Sequence, residues 1–133
     1  MKYLLDTCVI SDFIKGEPKT LTRLKNVSPT DIAVSSITVM EIEYGLALNP
    51  KLAKKIKTIV MDFLSAVTVL NFNSDDARAA AIIRAILKQQ GCPIGSYDIL
   101  LAGTALNYKL IFVSANTKEF SRVAGIQLEN WRS

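Results

Sequence analysis

The stretch KYLLDTCVIS, residues 2–11, decides the fold because a short apolar segment runs directly into an acid, Asp6. The apolar residues before Asp6 are typical of a strand, and a helix is predicted to begin near Cys8. Asp6 or Thr7 could cap that helix by accepting hydrogen bonds from its free N–H groups. The stretch alone therefore leaves open whether Asp6 is a helix cap or a functional carboxylate.

Short β-branched runs alternate with helical patterns along the whole chain. Strands are predicted near residues 2–6, 32–35, 67–72, 110–114 and 126–130. Helices are predicted near residues 8–16, 19–26, 38–48, 51–65, 75–90, 97–108 and 117–123. This alternation predicts a three-layer α/β/α fold, in which helices cover both faces of a mainly parallel sheet. Because no repeat, low-complexity tract or linker interrupts the 133 residues, we expect one domain over 1–133.

The composition excludes several kinds of catalysis. The chain contains no histidine, which rules out Ser–His–Asp hydrolysis, paired-histidine ribonucleases and His-ligated zinc. Cys8 and Cys92 lie far apart without a CxxC motif, so we expect neither a zinc site nor a disulfide, and we predict a reducing cytoplasm. A net charge of +4 mildly favours a polyanionic partner. An enzyme of this composition would depend on carboxylates.

The sequence predicts no membrane segment. Its most apolar region, ILLAGTALNYKLIFVSA at 99–115, is shorter than the usual span of about 20 residues and contains Asn107 and Lys109. The apolar run at the N-terminus is interrupted by Asp6, which is unlike the core of a signal peptide.

Acids and an amide follow the predicted strands at one edge of the sheet. Asp6 ends the first strand, and Glu41 lies one turn into the helix after the second strand. Asp98 lies in the first turn of a later helix, and Asn116 and Glu119 follow the fourth strand. Ligands of open parallel sheets bind beyond the carboxyl ends of the strands. We therefore expect these residues to lie close together.

Two of these acids also have structural interpretations. Glu41 fits a capping box that begins at Thr38, with Ser36 as a second possible cap. Asp98 could follow an N-cap at Ser96 and be favoured there by the helix dipole. Glu41 nevertheless lies on an apolar stripe of its helix, and Asp98 lies on a helix that is apolar almost all round, so an unpaired carboxylate is costly to bury at either position. Because a cation would remove that cost, we favour a functional role for both.

The remaining acids are interpreted as structural. Asp75 and Asp76 follow Ser74 at the start of a predicted helix. Asp12 lies one and a half turns into the first helix, beside Phe13, and we expect it at the surface.

A cluster of carboxylates without His or Cys is the ligand set that Mg²⁺ or Mn²⁺ prefers. Such ions neutralise a phosphodiester and acidify a water that attacks phosphorus. The sequence thus predicts phosphodiester hydrolysis, with Asp6 as a metal ligand at a strand end.

Four sequence blocks resemble, in order and spacing, the motif blocks of PIN-domain ribonucleases of the VapC type, the toxins of toxin–antitoxin pairs. These blocks are LLDTCVISDFIKG at 4–16, SSITVMEIEYG at 35–45, GCPIGSYDILLAGTA at 91–105 and VSANTKEFSRVAGIQLENW at 113–131. The resemblance implies a magnesium-dependent endoribonuclease, often a homodimer, inhibited by a small antitoxin that also represses transcription. It further implies a structured substrate such as transfer or ribosomal RNA.

Matched block by block, the resemblance implies a catalytic set of Asp6, Glu41, Asp98 and Asn116. It implies that the metal is held by Asp6, Glu41, Asp98 and Glu119, with Thr7 and Ser36 as supporting polar residues. The chain departs from the family pattern in two places. Cys8 replaces a usual Asn, and Asn116 replaces a common fourth Asp. These departures keep open an alternative, a catalytically weak PIN-like module that binds RNA or protein. A phospho-acceptor receiver domain is a third interpretation, but it predicts paired acids after the first strand, which are missing.

Overall fold

The computed structural model describes residues 1–133, and its elements follow the predicted alternation. The strands are β1 Tyr3–Leu5, β2 Ile32–Ser35, β3 Thr68–Leu70, β4 Ile111–Val113 and β5 Gln127–Glu129. The helices are α1 Thr7–Lys15, α2 Pro18–Lys25, α3 Ser36–Leu48, α4 Pro50–Ala66, α5 Ser74–Gln89, α6 Ser96–Tyr108 and α7 Thr117–Phe120, with a 3₁₀ turn at Pro29–Asp31. The predicted strands and the first six helices are confirmed within two residues. The last helix ends at Phe120, and the chain continues in turns to Gly125, which has a positive φ.

The five strands form one parallel sheet in the order β3-β2-β1-β4-β5. β1 lies at the centre, and its Tyr3 pairs with Ile32 of β2 on one side and with Ile111 of β4 on the other. The direction of strand order reverses at β1, which is where open parallel sheets bind ligands. The carboxyl ends of β1, β2 and β4 are therefore neighbours.

Apolar residues cover both faces of the sheet, as a buried parallel sheet requires. Leu4 points into a core that α5 and α6 close. Its neighbours Tyr3 and Leu5 point into a second core, with Val9 and Ile10 of α1. This alternation along β1 confirms the three-layer α/β/α architecture.

The helices α5 and α6 pack closely enough that Gly103 is required at their contact. A Cβ at Gly103 would lie 2.8 Å from the Ala80 amide nitrogen and 2.9 Å from the Asp76 carbonyl oxygen. Asp76 itself is fully buried and forms a capping box with Asn73 at the start of α5. The structural interpretation of Asp76 is therefore confirmed, and the close packing fixes the position of α6.

The apolar region 99–115 becomes most of α6 followed by β4. The two elements are separated at Lys109, which adopts a positive φ of 55° and ends the helix. None of the helices combines the length and apolar character needed to cross a bilayer.

The prediction that Asp12 lies at the surface is wrong. Asp12 is only 6% exposed, and Arg132 donates two hydrogen bonds of 2.7 Å to its two carboxylate oxygens. The hydroxyl of the buried Thr20 donates a third, at 3.3 Å. The sequence pattern could not reveal this pair because its members are 120 residues apart.

Candidate active site

Asp6 is both a helix cap and a member of the acid cluster. It is the N-cap of α1, and its Oδ1 accepts a hydrogen bond of 2.8 Å from the Thr7 amide. Its Oδ2 accepts a 2.8 Å hydrogen bond from the Ser114 hydroxyl at the end of β4. The two interpretations of the opening stretch are therefore compatible, since one oxygen caps the helix while the other faces the neighbouring strand end.

Cys8, which stands where the family resemblance predicts Asn, lies beside Asp6. Its thiol is 3.7 Å from Asp6 Oδ2, and its sulfur accepts a hydrogen bond from the Ala115 amide at 3.5 Å. Burial raises the pKa of Cys8, so the thiol stays protonated and is available as a weak donor.

Glu41 faces the acid cluster and does not cap its helix. The N-cap of α3 is Ser35, whose hydroxyl accepts from the Ile37 amide at 3.0 Å. The capping box from Thr38 is therefore wrong, and the Thr38 hydroxyl is buried without a partner. Glu41 instead accepts a 3.2 Å hydrogen bond from the Thr7 hydroxyl, which joins α3 to α1. Burial raises the pKa of Glu41, although the Thr7 hydrogen bond opposes this rise.

Asp98 is the most strongly perturbed acid of the group. The N-cap of α6 is Gly95, without a side-chain cap, so the predicted cap at Ser96 is wrong. Burial, followed by the negative charges of Asp6 and Glu119, raises the pKa of Asp98 to about 6. Gly95 approaches it closely, because a Cβ there would lie 2.9 Å from Asp98 Oδ2.

Glu119 is held against the start of α6. Its Oε1 accepts from the Gly95 amide at 2.9 Å, and its Oε2 accepts from the Asn116 side-chain amide at 2.8 Å. These hydrogen bonds lower the pKa of Glu119, whereas that of Asp98 is raised, so Glu119 loses its proton before Asp98 does as the pH rises. Asn116 therefore orients a carboxylate.

The donor set fits a hard divalent cation in type and charge. The group consists of carboxylates from four elements or their caps. Burial and nearby negative charges disfavour ionisation of Asp98 and Glu41. In the present arrangement no three His, Cys, Asp or Glu side chains converge closely enough to hold an ion. Hydrogen bonds to Thr7, Ser114 and Gly95 hold their carboxylate partners in place. Binding of a cation would therefore require local side-chain rotation.

The supporting polar residues are only partly those that the resemblance implies. Thr7 contacts Glu41 as expected. The Ser36 hydroxyl accepts a 3.1 Å hydrogen bond from the Phe72 amide, which ties α3 to the segment after β3. Ser36 forms no hydrogen bond to an acid. The sequence reasoning missed Ser114, which supports Asp6. The sequence did contain a signal for Ser114, because it is a hydroxyl residue at a predicted strand end, in the same block as Asn116.

Comparison with known proteins agrees with this geometry. Residues 3–126 match the PIN domain family. The tRNA(fMet)-specific endonuclease VapC of Shigella flexneri is 34% identical over 131 residues, which are 98% of each chain. Ribonuclease VapC2 of Haemophilus influenzae is 37% identical, again over 98% of each chain. The crystal structure of DNA-bound VapBC from Salmonella typhimurium contains a chain with a TM-score of 0.89 and 34% identity, over 98% of both chains.

The chain therefore belongs to the PIN domain family, and within it to the VapC-type ribonucleases that its sequence blocks resemble. The structure of VapBC2 from Rickettsia felis bound to a promoter fragment gives a TM-score of 0.90 at 30% identity, over 98% of this chain and 99% of that one. The receiver-domain interpretation is wrong.

Proposed function

We propose that this protein is a Mg²⁺-dependent endoribonuclease toxin that is neutralised by a cognate antitoxin. The observation that carries this proposal is the grouping of Asp6, Glu41, Asp98 and Glu119 at the carboxyl edge of the sheet. Burial, followed by the negative charges of Asp6 and Glu119, raises the pKa of Asp98 to about 6. Strongly perturbed acids at a ligand-binding edge are typical of a functional site.

Each residue has a proposed part in cleavage. Asp6 and Asp98 would be the principal metal ligands, with Glu41 and Glu119 as the other carboxylates. Thr7 and Ser114 fix the rotamers of Glu41 and Asp6, and Asn116 fixes that of Glu119. When bound, a magnesium ion would supply positive charge that offsets the phosphodiester and would make a water molecule more acidic. These acids would hold the ion only after their side chains rotate toward one another, since no three of them converge closely enough in the present arrangement.

The proposed partners follow from the relatives. The Shigella protein is named for initiator transfer RNA, so transfer RNA is the first substrate class to test, with ribosomal RNA second. The Salmonella and Rickettsia structures are VapBC complexes bound to DNA, which supports a VapB-like antitoxin for this chain. Exposed apolar side chains, Tyr44 and Leu48 on α3 and Ile82 on α5, would be covered by antitoxin or by a second copy in a homodimer. We place this assembly in the cytoplasm.

The test is cleavage of purified transfer RNA by the isolated protein, with and without metal. We expect EDTA to stop cleavage, and Mg²⁺ or Mn²⁺ to restore it. The matched variants are Asp6→Asn, at the site, and Asp62→Asn, which removes the same charge from the exposed surface of α4. Cleavage that survives EDTA would contradict the metal requirement. RNA that is bound but left intact under all conditions would favour the binding-module alternative.

A further inference from the structure

An ion pair between the buried carboxylate of Asp12 and the half-exposed side chain of Arg132 lies outside the acid cluster, at the helix that carries Asp6. The Asp12 side chain is 8% exposed, and Nε and Nη2 of Arg132 meet its two oxygens at 2.7 Å each. This bidentate geometry is the strongest arrangement that an arginine and a carboxylate form. Thr20, which is 1% exposed, completes the hydrogen bonding of Asp12.

The chain around Arg132 is packed against the rest of the fold, which holds Arg132 in place beside Asp12. Trp131 is 2% exposed, and its ring packs edge-on against the ring of Tyr3 in β1, with the ring centroids 5.3 Å apart. The indole N–H of Trp131 donates to Glu129 at 3.0 Å, and Arg23 of α2 forms an ion pair with the same carboxylate. Residues 129–132 therefore fasten β1, α1 and α2 to one another.

One face of α1 connects this pair to the acid cluster. Cys8 and Asp12 are four residues apart and lie on the same face of the helix. Cys8 contacts Asp6 Oδ2 at 3.7 Å and accepts from the Ala115 amide at 3.5 Å. Asp6 precedes Asp12 by six residues, which is about 9 Å along a helix. A small rotation of α1 about its axis would therefore move Cys8 and Asp6 together.

We infer that Asp12 and Arg132 are positioning residues for RNA cleavage, because they hold α1 in the rotation that directs Asp6 toward Ser114 and the other acids. This inference rests on the proposed function, since positioning has a catalytic consequence only if Asp6 belongs to the active site. Neither Asp12 nor Arg132 contacts the acid cluster through a hydrogen bond, so their effect is transmitted through the helix.

The experiment uses the full chain in a Cys92→Ser background, in which Cys8 is the only thiol. The variants are Arg132→Gln, Arg132→Lys, Asp12→Asn and the double variant Asp12→Asn with Arg132→Gln. Arg78→Gln is the matched control, because it removes one arginine from an ion pair whose side chains are 73% and 71% exposed. Three quantities are measured for each: kcat and KM for RNA cleavage with Mg²⁺, the rate at which a disulfide reagent modifies Cys8 without metal, and the melting temperature.

We expect Arg132→Gln to lower kcat by about 10-fold with little change in KM, the size of effect seen when residues that orient ligands are lost. We expect the Cys8 thiol to react several-fold faster, because α1 no longer holds it against Asp6 and Ala115. Loss of a nearby positive charge would by itself slow this reaction, so an increase reports on the placement of the helix. Arg132→Lys should restore part of kcat, and the double variant should be no worse than Arg132→Gln. Arg78→Gln should match the parent.

The inference is overturned if Arg132→Gln lowers the melting temperature but leaves kcat and the Cys8 rate unchanged, since the pair is then only stabilising. It is also overturned if KM alone rises, since Arg132 then contacts RNA. If Arg132→Gln does not fold, Arg132→Lys and Asp12→Asn decide by the same readouts. If the parent protein does not cut RNA, the proposed function fails, whereas the Cys8 rate still shows whether the pair positions α1.

Discussion

Asp76 and Asp98 occupy the same position in two neighbouring helices, the third residue of α5 and of α6. Asp76 is fully buried, and it accepts hydrogen bonds from the Asn73 amide at 3.1 Å and from the Asn107 side chain at 2.7 Å. Burial, together with the carboxylates that are its neighbours, raises the pKa of Asp98 to about 6. The position in the helix is identical, so it is the surroundings that differ: one acid is held by hydrogen-bond donors, and the other lies near further acids.

The same contrast explains why the acid cluster is costly to the folded protein without a cation. Hydrogen-bond donors around a buried carboxylate stabilise its charged form, whereas acids around it destabilise that form. Functional sites commonly break the local rules that the rest of a fold obeys. The pair Asp76 and Asp98 therefore offers matched substitutions that separate stability from activity.

The largest expected effect is on RNA cleavage by Asp98→Asn. Removing this charge, which we propose as a ligand of the metal, should lower kcat at least about 100-fold. The melting temperature of the metal-free variant should equal or exceed that of the parent, because repulsion among the acids is relieved. Asp76→Asn is the control, and its folded fraction should cleave RNA at the parental rate. Full cleavage by Asp98→Asn would reject the assignment of the site.

The second prediction concerns stability, for which Asp76 should matter more than Asp98. Asp76→Ala leaves the Asn107 amide and the Asn73 N–H without their partner, which should cost about 2–3 kcal/mol in the free energy of unfolding. Asp98→Ala should cost much less, because Asp98 is not held by buried donors. Urea unfolding of the metal-free proteins measures both values. Equal losses in the two variants would show that their surroundings do not differ as the structure indicates.

A third buried acid, Asp12, extends the comparison to acid pH. The hydrogen bonds from Arg132 hold the pKa of Asp12 below its usual range. A lowered pKa in the folded state means that this contribution is present above the unfolded-state pKa of about 3.9 and is lost as the pH falls below it. Arg132→Gln should therefore reduce the fall in unfolding free energy between about pH 4 and pH 2. Unfolding curves measured across that pH range check this prediction. It is contradicted if the unfolding free energy of Arg132→Gln falls with pH as steeply as that of the parent.

The smallest expected effect concerns Asn116, where a fourth acid is common in the family. Asn116→Asp adds a negative charge beside Glu119 and should tighten Mn²⁺ binding by roughly threefold, as added ligand charge does in other carboxylate sites. Calorimetric titration measures this affinity. Asn49→Asp is the control, because it places the same charge at the N-cap of α4. Unchanged affinity in Asn116→Asp would place this residue outside the metal's ligands.

Local patterns in the sequence determined the architecture. The strand predicted near residues 32–35 and the helix predicted near 97–108 agree with β2 and α6 within one residue, because a short apolar run is typical of a fully buried strand and a long one of a buried helix. The placement of Asp6 at a strand end also followed from a local pattern, since parallel topology brings strand ends to one edge. The four sequence blocks then indicated the family.

Only the tertiary structure decided which partner each polar group meets. Ser114 supports Asp6 across 108 residues, and Arg132 neutralises Asp12 across 120. Local spacing likewise favoured Thr38 as a cap, whereas the structure leaves its hydroxyl buried and unpaired, with Ser35 in the cap position. Periodicity specifies the direction in which a side chain points relative to its own helix or strand. The identity of the group it meets depends on how separate elements pack, and no pattern within one element contains that information.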